Sequence, residues 1–330
     1  MWPLNAGYAF HWPWQKDKEA KASPKPSASQ KPAAGEKSGA EKKLAADEKP
    51  AFKCDPASFR IIVDVGHTQE SDGAISARNI PEYQFNLRLA KRVVDDLRSN
   101  GFPDTRLLVT AGKARPSLGR RVASADSLKG NFLLSIHHDS VPDKFMENWD
   151  FEGKPSHFSD RFSGYSVFVS HSNMDFKTSL TFARLLGRQM KAQGLQYATQ
   201  YTQAFMGQFQ RELLDKDVGV YAYDRLIVLM YPQMPAVLLE AGSIINRDEE
   251  LKMASPERQA MTAKAVTSAM KQFCGVQPPP VVEAKSAPPA SSQPQANSQP
   301  AINPPPSPTQ ARIEPAAKSQ PDASSQSQPK

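Results

Sequence analysis

Residues 61–67 (IIVDVGH) form a mostly apolar, β-branched run that ends in Gly and His. Such a continuous run is typical of a strand that is buried on both faces of a parallel sheet. Two later runs end in a similar way: residues 131–137 (NFLLSIH) finish at a His, and residues 235–240 (PAVLLE) finish at a Glu. Because functional groups collect at the carboxyl ends of strands in open α/β sheets, these three ends predict one active edge.

Helical patterns separate the strand-like runs. Pro81 stands at a helix start, apolar residues then repeat at helical spacing, and Gly101 marks the end. The chain as a whole predicts strands at 59–65, 107–110, 131–137, 164–170, 227–230 and 236–240, and helices at 82–100, 117–128, 178–193 and 256–273. Strands that alternate with helices predict an α/β fold with an open, twisted, mostly parallel sheet and helices on both faces.

Composition divides the chain into three parts. Of 29 prolines, 6 precede Cys54 and 14 follow Cys274. Residues 1–53 are rich in Lys, Ala and Pro, and residues 275–330 are rich in Pro, Ser and Gln. Both have too few large apolar residues to offset the entropy of ordering, so we expect disordered segments at 1–53 and 275–330. Residues 54–274 are long enough to bury one sizeable core, so we expect a single folded domain there.

The charge does not indicate a nucleic-acid-binding domain. Of the net charge of +7, residues 1–53 contribute +4 from ten Lys against six acidic residues. A nucleic-acid-binding protein concentrates basic residues on its folded face, and this chain does not. The sequence contains no run of 18 apolar residues, so it predicts no membrane span. Residues 1–14 are uncharged and aromatic, without the basic start and small-residue cleavage site of a clear signal peptide.

The two cysteines, Cys54 and Cys274, bracket the predicted domain. One interpretation is a disulfide that joins the two ends of the fold, which requires an oxidising compartment. The other is two unpaired structural thiols, and spacing alone does not decide between them.

Four residues at the predicted edge suit metal-assisted hydrolysis. His67, His137 and Glu82 provide two imidazoles and one carboxylate, which is a three-ligand zinc set with an open position for water. Glu240 is the additional carboxylate that such a site needs as a proton shuttle. Asp64 lies on the strand face that leads to this edge. It either orients a metal ligand or has a purely structural role. His138 follows His137 directly, so we expect it on the opposite face, and we expect Arg121 to form a structural ion pair.

These motifs also share their order and spacing with a known family. The core resembles the zinc-dependent N-acetylmuramoyl-L-alanine amidases, of the type found in bacterial cell division, over about residues 55–275. The matching pieces are residues 62–67 (IVDVGH), Glu82 with Asn86, Arg121 with Ala125, residues 135–137 (SIH), residues 164–168 (GYSVF) and residues 235–242 (PAVLLEAG). The resemblance implies that His67, Glu82 and His137 bind zinc and that Glu240 is the catalytic acid and base.

The implied reaction is hydrolysis of the amide between the lactyl group of N-acetylmuramic acid and L-Ala of the peptidoglycan stem. Two alternatives are a zinc peptidase that acts on stem peptides and a catalytically silent wall-binding scaffold. The substrate implies an exported, periplasmic protein whose partners are peptidoglycan and an activator protein. Two long connections, residues 139–163 and 196–225, are expected to form groove walls or lids, with a short helix at 204–214.

Overall fold

The structure, a computed structural model, describes Phe52 and residues 54–276. The segments predicted to be disordered therefore lie outside the described residues, apart from Phe52, Gly275 and Val276. In the described part of the chain, none of the helices is long and apolar enough to cross a membrane.

Strands and helices alternate through the described residues. The strands are β1 Ile61–Val65, β2 Arg106–Leu108, β3 Phe132–Asp139, β4 Glu147–Phe151, β5 Lys154–Phe158, β6 Ser166–Val169, β7 Leu213–Asp215, β8 Val220–Ala222 and β9 Ala236–Ser243. The α-helices are α1 Glu82–Ser99, α2 Ala114–Ser127, α3 Phe176–Ala192, α4 Ile227–Met230, α5 Arg247–Ala254 and α6 Pro256–Phe273.

One seven-stranded sheet, in the order β2-β1-β3-β9-β6-β8-β7, organises the described residues. Strands β2, β1, β3 and β9 are mutually parallel. Strand β6 is antiparallel to β9 and parallel to β8. Strand β7, at the edge of the sheet, is antiparallel to β8. The predicted fold class, a mostly parallel α/β sheet, is confirmed.

Alternate residues of each strand point into two apolar layers. Val63 and Val237 belong to the layer that α1, α3 and α6 cover, which we call the three-helix face. Ile62 and Leu238 belong to the layer that α2 and α4 cover, which we call the two-helix face. The sheet is thus buried on both sides, which explains why its strands appear in the sequence as nearly continuous apolar runs.

The structure differs from the predicted elements at residues 227–230 and in the two long connections. Residues 227–230 form the short helix α4 instead of a strand, because four apolar residues fit a buried helical turn as well as a strand. The strand that pairs with β6 on the side away from β9 is instead β8, which is only three residues long. Residues 139–163 contain the hairpin β4–β5, and residues 204–209 form a 3₁₀ segment that ends before β7, in place of a helix over 204–214.

A disulfide joins Cys54 to Cys274, whose Cα atoms lie 4.9 Å apart. Cys54 lies before β1 and Cys274 caps the end of α6, so the bond connects both ends of the described core. Beside it, the rings of Phe52 and Phe273 stack with centroids 5.1 Å apart. The paired interpretation of the two cysteines is the one that the structure adopts.

The double variant Cys54→Ala/Cys274→Ala is expected to lose about 2–5 kcal/mol of unfolding free energy, because the crosslink restricts a long loop of the unfolded chain. The two residues are 220 positions apart. Urea unfolding with and without reductant measures the effect. Reductant should lower the wild-type midpoint to that of the variant and leave the variant unchanged. Equal midpoints for oxidised and reduced wild type would contradict the prediction.

Candidate active site

The candidate residues lie where three parallel strands end. Strand β1 ends at Val65, two residues before His67, and β3 and β9 are its neighbours in order across the sheet. His137 and Glu240 lie directly opposite each other in the β3–β9 register. Both continue the series of alternate residues that point to the two-helix face, in which Leu133 and Leu238 occupy the apolar end. That face therefore changes from apolar to polar toward the carboxyl ends of the strands.

Glu82 reaches this edge from a different element. It is the first residue of α1, and its backbone N–H donates to the carbonyl of Ala74. Its side chain is buried, with Oε2 lying 2.9 Å from His67 Nε2 and Oε1 lying 3.0 Å from His137 Nδ1. One carboxylate therefore joins both predicted imidazole ligands, and the structure brings these three sequence-predicted residues together.

Two glycines make room for the imidazoles. A Cβ at Gly66 would lie 2.5 Å from His137 Nε2, although the backbone there does not have a positive φ. A Cβ at Gly73, whose φ is +80°, would lie 2.5 Å from Glu82 Oε2 and 2.7 Å from the ring of His67. Only a residue without a side chain allows the loop to wrap this closely around the site. His67 itself has φ 64°, a left-handed conformation that is uncommon for a residue other than glycine.

A second layer of hydrogen bonds orients the Glu82 carboxylate. The amide of Asn86, one helical turn later, donates to Glu82 Oε1 at 3.0 Å and to the carbonyl of Gly66 at 3.2 Å. The backbone N–H of His138 donates to the same carboxylate oxygen at 3.3 Å. The His138 ring points away, to Asn86 Oδ1 at 2.7 Å, as expected for the opposite face of β3. Burial lowers the pKa of His138 to about 3, so the ring is neutral there.

Asp64 and Arg121 form a buried ion pair beneath the site. Arg121 donates to Asp64 Oδ1 at 2.6 Å, and the hydroxyl of Ser135 donates to Asp64 Oδ2 at 2.7 Å. Arg121 also donates to the carbonyls of Val65 and His67. Asp64 therefore fits its structural interpretation: it fixes Arg121, and Arg121 fixes the turn that carries His67.

The electrostatics favour the protonation states that a metal requires. Burial alone would raise the pKa of Glu82, but His67 and His137 hold it well below the ordinary value for a Glu. Burial lowers the pKa of His137, which favours the neutral ring. An ionised carboxylate and a neutral imidazole are the forms in which these groups bind metal ions.

The donor atoms of His67, Glu82 and His137 also fit a metal ion by distance. One atom from each lies within 4.8 Å of the others. Atoms bound at about 2.0–2.1 Å to a tetrahedral ion lie about 3.3 Å apart, which falls within the 4.8 Å spread of the three donor atoms. These three residues could therefore hold a metal ion without rearrangement of the backbone.

Glu240 is the remaining predicted residue, and it stands apart from this hydrogen-bonded group. Its Oε2 atom is buried and has no hydrogen-bond partner among the described residues. Burial, then the charges of Asp139 and Glu82, raise its pKa well above the ordinary value. A buried carboxylate oxygen without a partner is costly, and such strained polar groups are common at functional sites.

Sequence reasoning did not single out Asp139, at the end of β3. Its Oδ1 atom accepts a hydrogen bond of 2.6 Å from the hydroxyl of Tyr201, and burial raises its pKa to about 7. The sequence feature that could have identified Asp139 is its position two residues after His137, at the end of a strand. The ring of Tyr201 packs edge-on against Phe168, with centroids 5.2 Å apart.

The chain is similar in sequence to known amidases. A family model described as N-acetylmuramoyl-L-alanine amidase matches residues 61–272. A putative N-acetylmuramoyl-L-alanine amidase of Buchnera aphidicola subsp. Baizongia pistaciae is 22% identical over 214 residues, which cover 64% of this chain and 95% of the relative.

Two solved structures have the same fold. The N-acetylmuramyl-L-alanine amidase Ami1 from Mycobacterium smegmatis has a TM-score of 0.51 at 22% identity, covering 68% of this chain and 100% of that one. Ami1 from Mycobacterium abscessus has a TM-score of 0.50 at 21% identity, covering 66% and 99% of the two chains. At these identities the likeness shows the fold alone.

Fold and site together define an α/β enzyme domain with a His–Glu–His group that could hold a metal ion. Because the family model matches more than half of the chain, the chain belongs to the N-acetylmuramoyl-L-alanine amidase family. The predicted family and the predicted enzyme class, a hydrolase of amide bonds, are confirmed. Family membership also implies that peptidoglycan is the substrate and that the protein acts outside the cytoplasm.

Gly66→Ala is expected to lower metal affinity at least tenfold while the protein stays folded, because the new methyl group displaces the His137 ring. Metal titration followed by thermal unfolding measures this change. Gly119→Ala is a matched control, since a Cβ there meets no atom within 4 Å and the position lies inside α2. Equal metal affinity in the two variants would show that the close packing of Gly66 against His137 has no functional role.

Proposed function

We propose that this protein hydrolyses the amide bond between the lactyl group of N-acetylmuramic acid and L-Ala of the peptidoglycan stem, with a zinc ion as cofactor. In this proposal His67, Glu82 and His137 bind the zinc ion and Glu240 is the catalytic residue. One observation carries it: Glu240, whose Oε2 atom is buried without a partner among the described residues, lies directly across the strand register from His137, a member of the His–Glu–His group.

The donor set supports zinc among the possible metals. Two imidazoles and one carboxylate are the ligands of catalytic zinc sites that keep one position open. A zinc ion held there would act as a Lewis acid toward the amide carbonyl and lower the pKa of a water molecule to about 7.

Glu240 carries the proton in this scheme. Its carboxylate takes a proton from the attacking water and delivers it to the amide nitrogen, which leaves as the free amine of L-Ala. The lactyl carbonyl carbon gains the oxygen of water and becomes the free acid. A raised pKa suits this role, because a shuttle works best when its pKa lies near the operating pH.

We further propose that residues 54–274 are the catalytic domain and that the protein works in the periplasm after export. The disulfide between Cys54 and Cys274 supports an oxidising compartment. The roles of residues 1–53 and 275–330 as flexible segments stay predictions.

An activator protein is part of the proposal because described segments of both long connections lie beside the active edge. The phenol of Tyr201 donates to Asp139, and Phe205 packs against Phe145 with centroids 5.4 Å apart. A partner that shifts these segments would widen access to Glu240. Activation of the purified enzyme by an extract of cell-envelope proteins, absent after protease treatment, is the corresponding observation.

Glu240→Gln is expected to lower kcat by about 10²–10⁴-fold while zinc binding stays near that of wild type, because the change removes the proton shuttle and keeps the shape. Zinc content by elemental analysis and release of fragments from purified peptidoglycan measure the two effects. His137→Ala is the matched comparison, since it should lose both zinc and activity.

Mass spectrometry of the fragments identifies the bond. An amidase yields stem peptides with a free L-Ala amine and glycan with an intact lactyl acid. Fragments cut within the stem would instead support a peptidase, and full activity of Glu240→Gln would rule out its catalytic role.

Chelation of the metal is expected to abolish hydrolysis and lower the melting temperature, because a metal that binds only the folded protein stabilises it. Added zinc should restore both in wild type and neither in His137→Ala. Activity that survives exhaustive chelation would contradict the zinc proposal.

A further inference from the structure

Two buried polar atoms without partners lie in positions opposite each other on neighbouring strands. Ser166 begins β6 and pairs with Glu240 of β9 in the antiparallel register. Among the described residues, neither Ser166 Oγ nor Glu240 Oε2 has a hydrogen-bond partner. Ser166 is fully buried at 0% exposure, so solvent does not satisfy its hydroxyl.

Both side chains point to the same side of the sheet. Phe168 and Leu238, one step further along each strand, are also directly opposite and belong to the apolar layer of the two-helix face. Side chains of directly opposed residues share a face, with Cβ atoms about 4.5–5.5 Å apart. A Ser hydroxyl has three staggered positions and a freely rotating hydrogen, so it can reach a carboxylate at this separation.

Several other ionisable groups lie near Glu240. Glu82 and Asp139 are acidic, and both act electrostatically on Glu240 as like charges. The phenol of Tyr201, which also interacts electrostatically with Glu240, already donates to Asp139 at 2.6 Å. The phenol of Tyr223 also interacts electrostatically with Glu240. Ser166 is the neutral donor that the register places directly opposite the carboxylate.

We propose that the Ser166 hydroxyl donates a hydrogen bond to the Glu240 carboxylate and holds it in the orientation that accepts the proton of the attacking water. Ser166 is then a positioning residue that acts through Glu240 and does not touch the substrate. This inference rests on the proposed role of Glu240 as the proton shuttle.

Ser166→Ala in the metal-loaded enzyme tests the proposal. We expect kcat to fall about tenfold with KM changed less than twofold, because binding groups are untouched. The acid limb of the kcat profile should move to higher pH, since a donor stabilises the charged form of the carboxylate. Ser166→Thr, which keeps the hydroxyl, should recover most of the lost kcat.

Ser243→Ala is the matched control. Ser243 also lies on β9, is 1% exposed and has a hydroxyl without a partner among the described residues, but the β3–β9 register places it opposite Asp139 and not opposite Glu240 or Ser166. Its kcat and pH profile should equal those of wild type.

Infrared spectroscopy gives a readout that does not depend on turnover. The carboxyl band that disappears in Glu240→Gln is assigned to Glu240, and its titration midpoint should rise in Ser166→Ala and stay unchanged in Ser243→Ala. If the two alanine variants give the same kcat and the same midpoint, the proposal is overturned. A fall in kcat without a shift of the band would equally overturn it, because it would show a purely structural effect.

The test separates this inference from the proposed function. The measured quantity is the kcat of Ser166→Ala divided by the kcat of wild type, for whichever bond the wild type cuts. Products cut at a bond other than the lactyl amide would overturn the proposed substrate bond, while the Ser166 comparison would still be decided by its own ratio and by the infrared band.

Discussion

The carboxylate of Glu82 is the constraint on which the rest of the site depends. It is buried, and its two oxygens contact His67, His137, the Asn86 amide and the backbone N–H groups of Ala74 and His138. An ionised carboxylate inside a protein is stable only when it is so fully paired. Helix α1 must therefore begin where it does, and the loop before it must fold back over the site.

The direction of the strands decides which residues can meet Glu240. Strands β1, β3 and β9 run parallel and bring their carboxyl ends to one edge, as is usual in open α/β sheets. Strand β6 runs the other way, so its amino end reaches the same edge and places Ser166 opposite Glu240. A strand parallel to β9 at this place would have brought its carboxyl end to the edge instead. The mixed character of the sheet therefore matters for the chemistry that we propose.

Local pattern was sufficient for much of the fold. The runs before His67 and His137 are nearly continuously apolar and the final helix after Pro256 has helical periodicity, and the structure contains all three within a few residues of the predicted bounds. Residues 227–230 were interpreted wrongly, because a short apolar run has no distinguishing period. The short strands β7 and β8 and the β4–β5 hairpin were missed, since such elements depend on the partners against which they pack.

The sequence by itself determined the chemical groups at the edge and their order along the chain, because strand ends and helix starts can be identified from periodicity, Gly and Pro. Only the tertiary structure decided how they meet. It made Asp64 the partner of Arg121, paired Cys54 with Cys274, and placed Ser166 opposite Glu240. The physical reason is that register and burial arise from contacts between segments far apart in the chain, which no local pattern encodes.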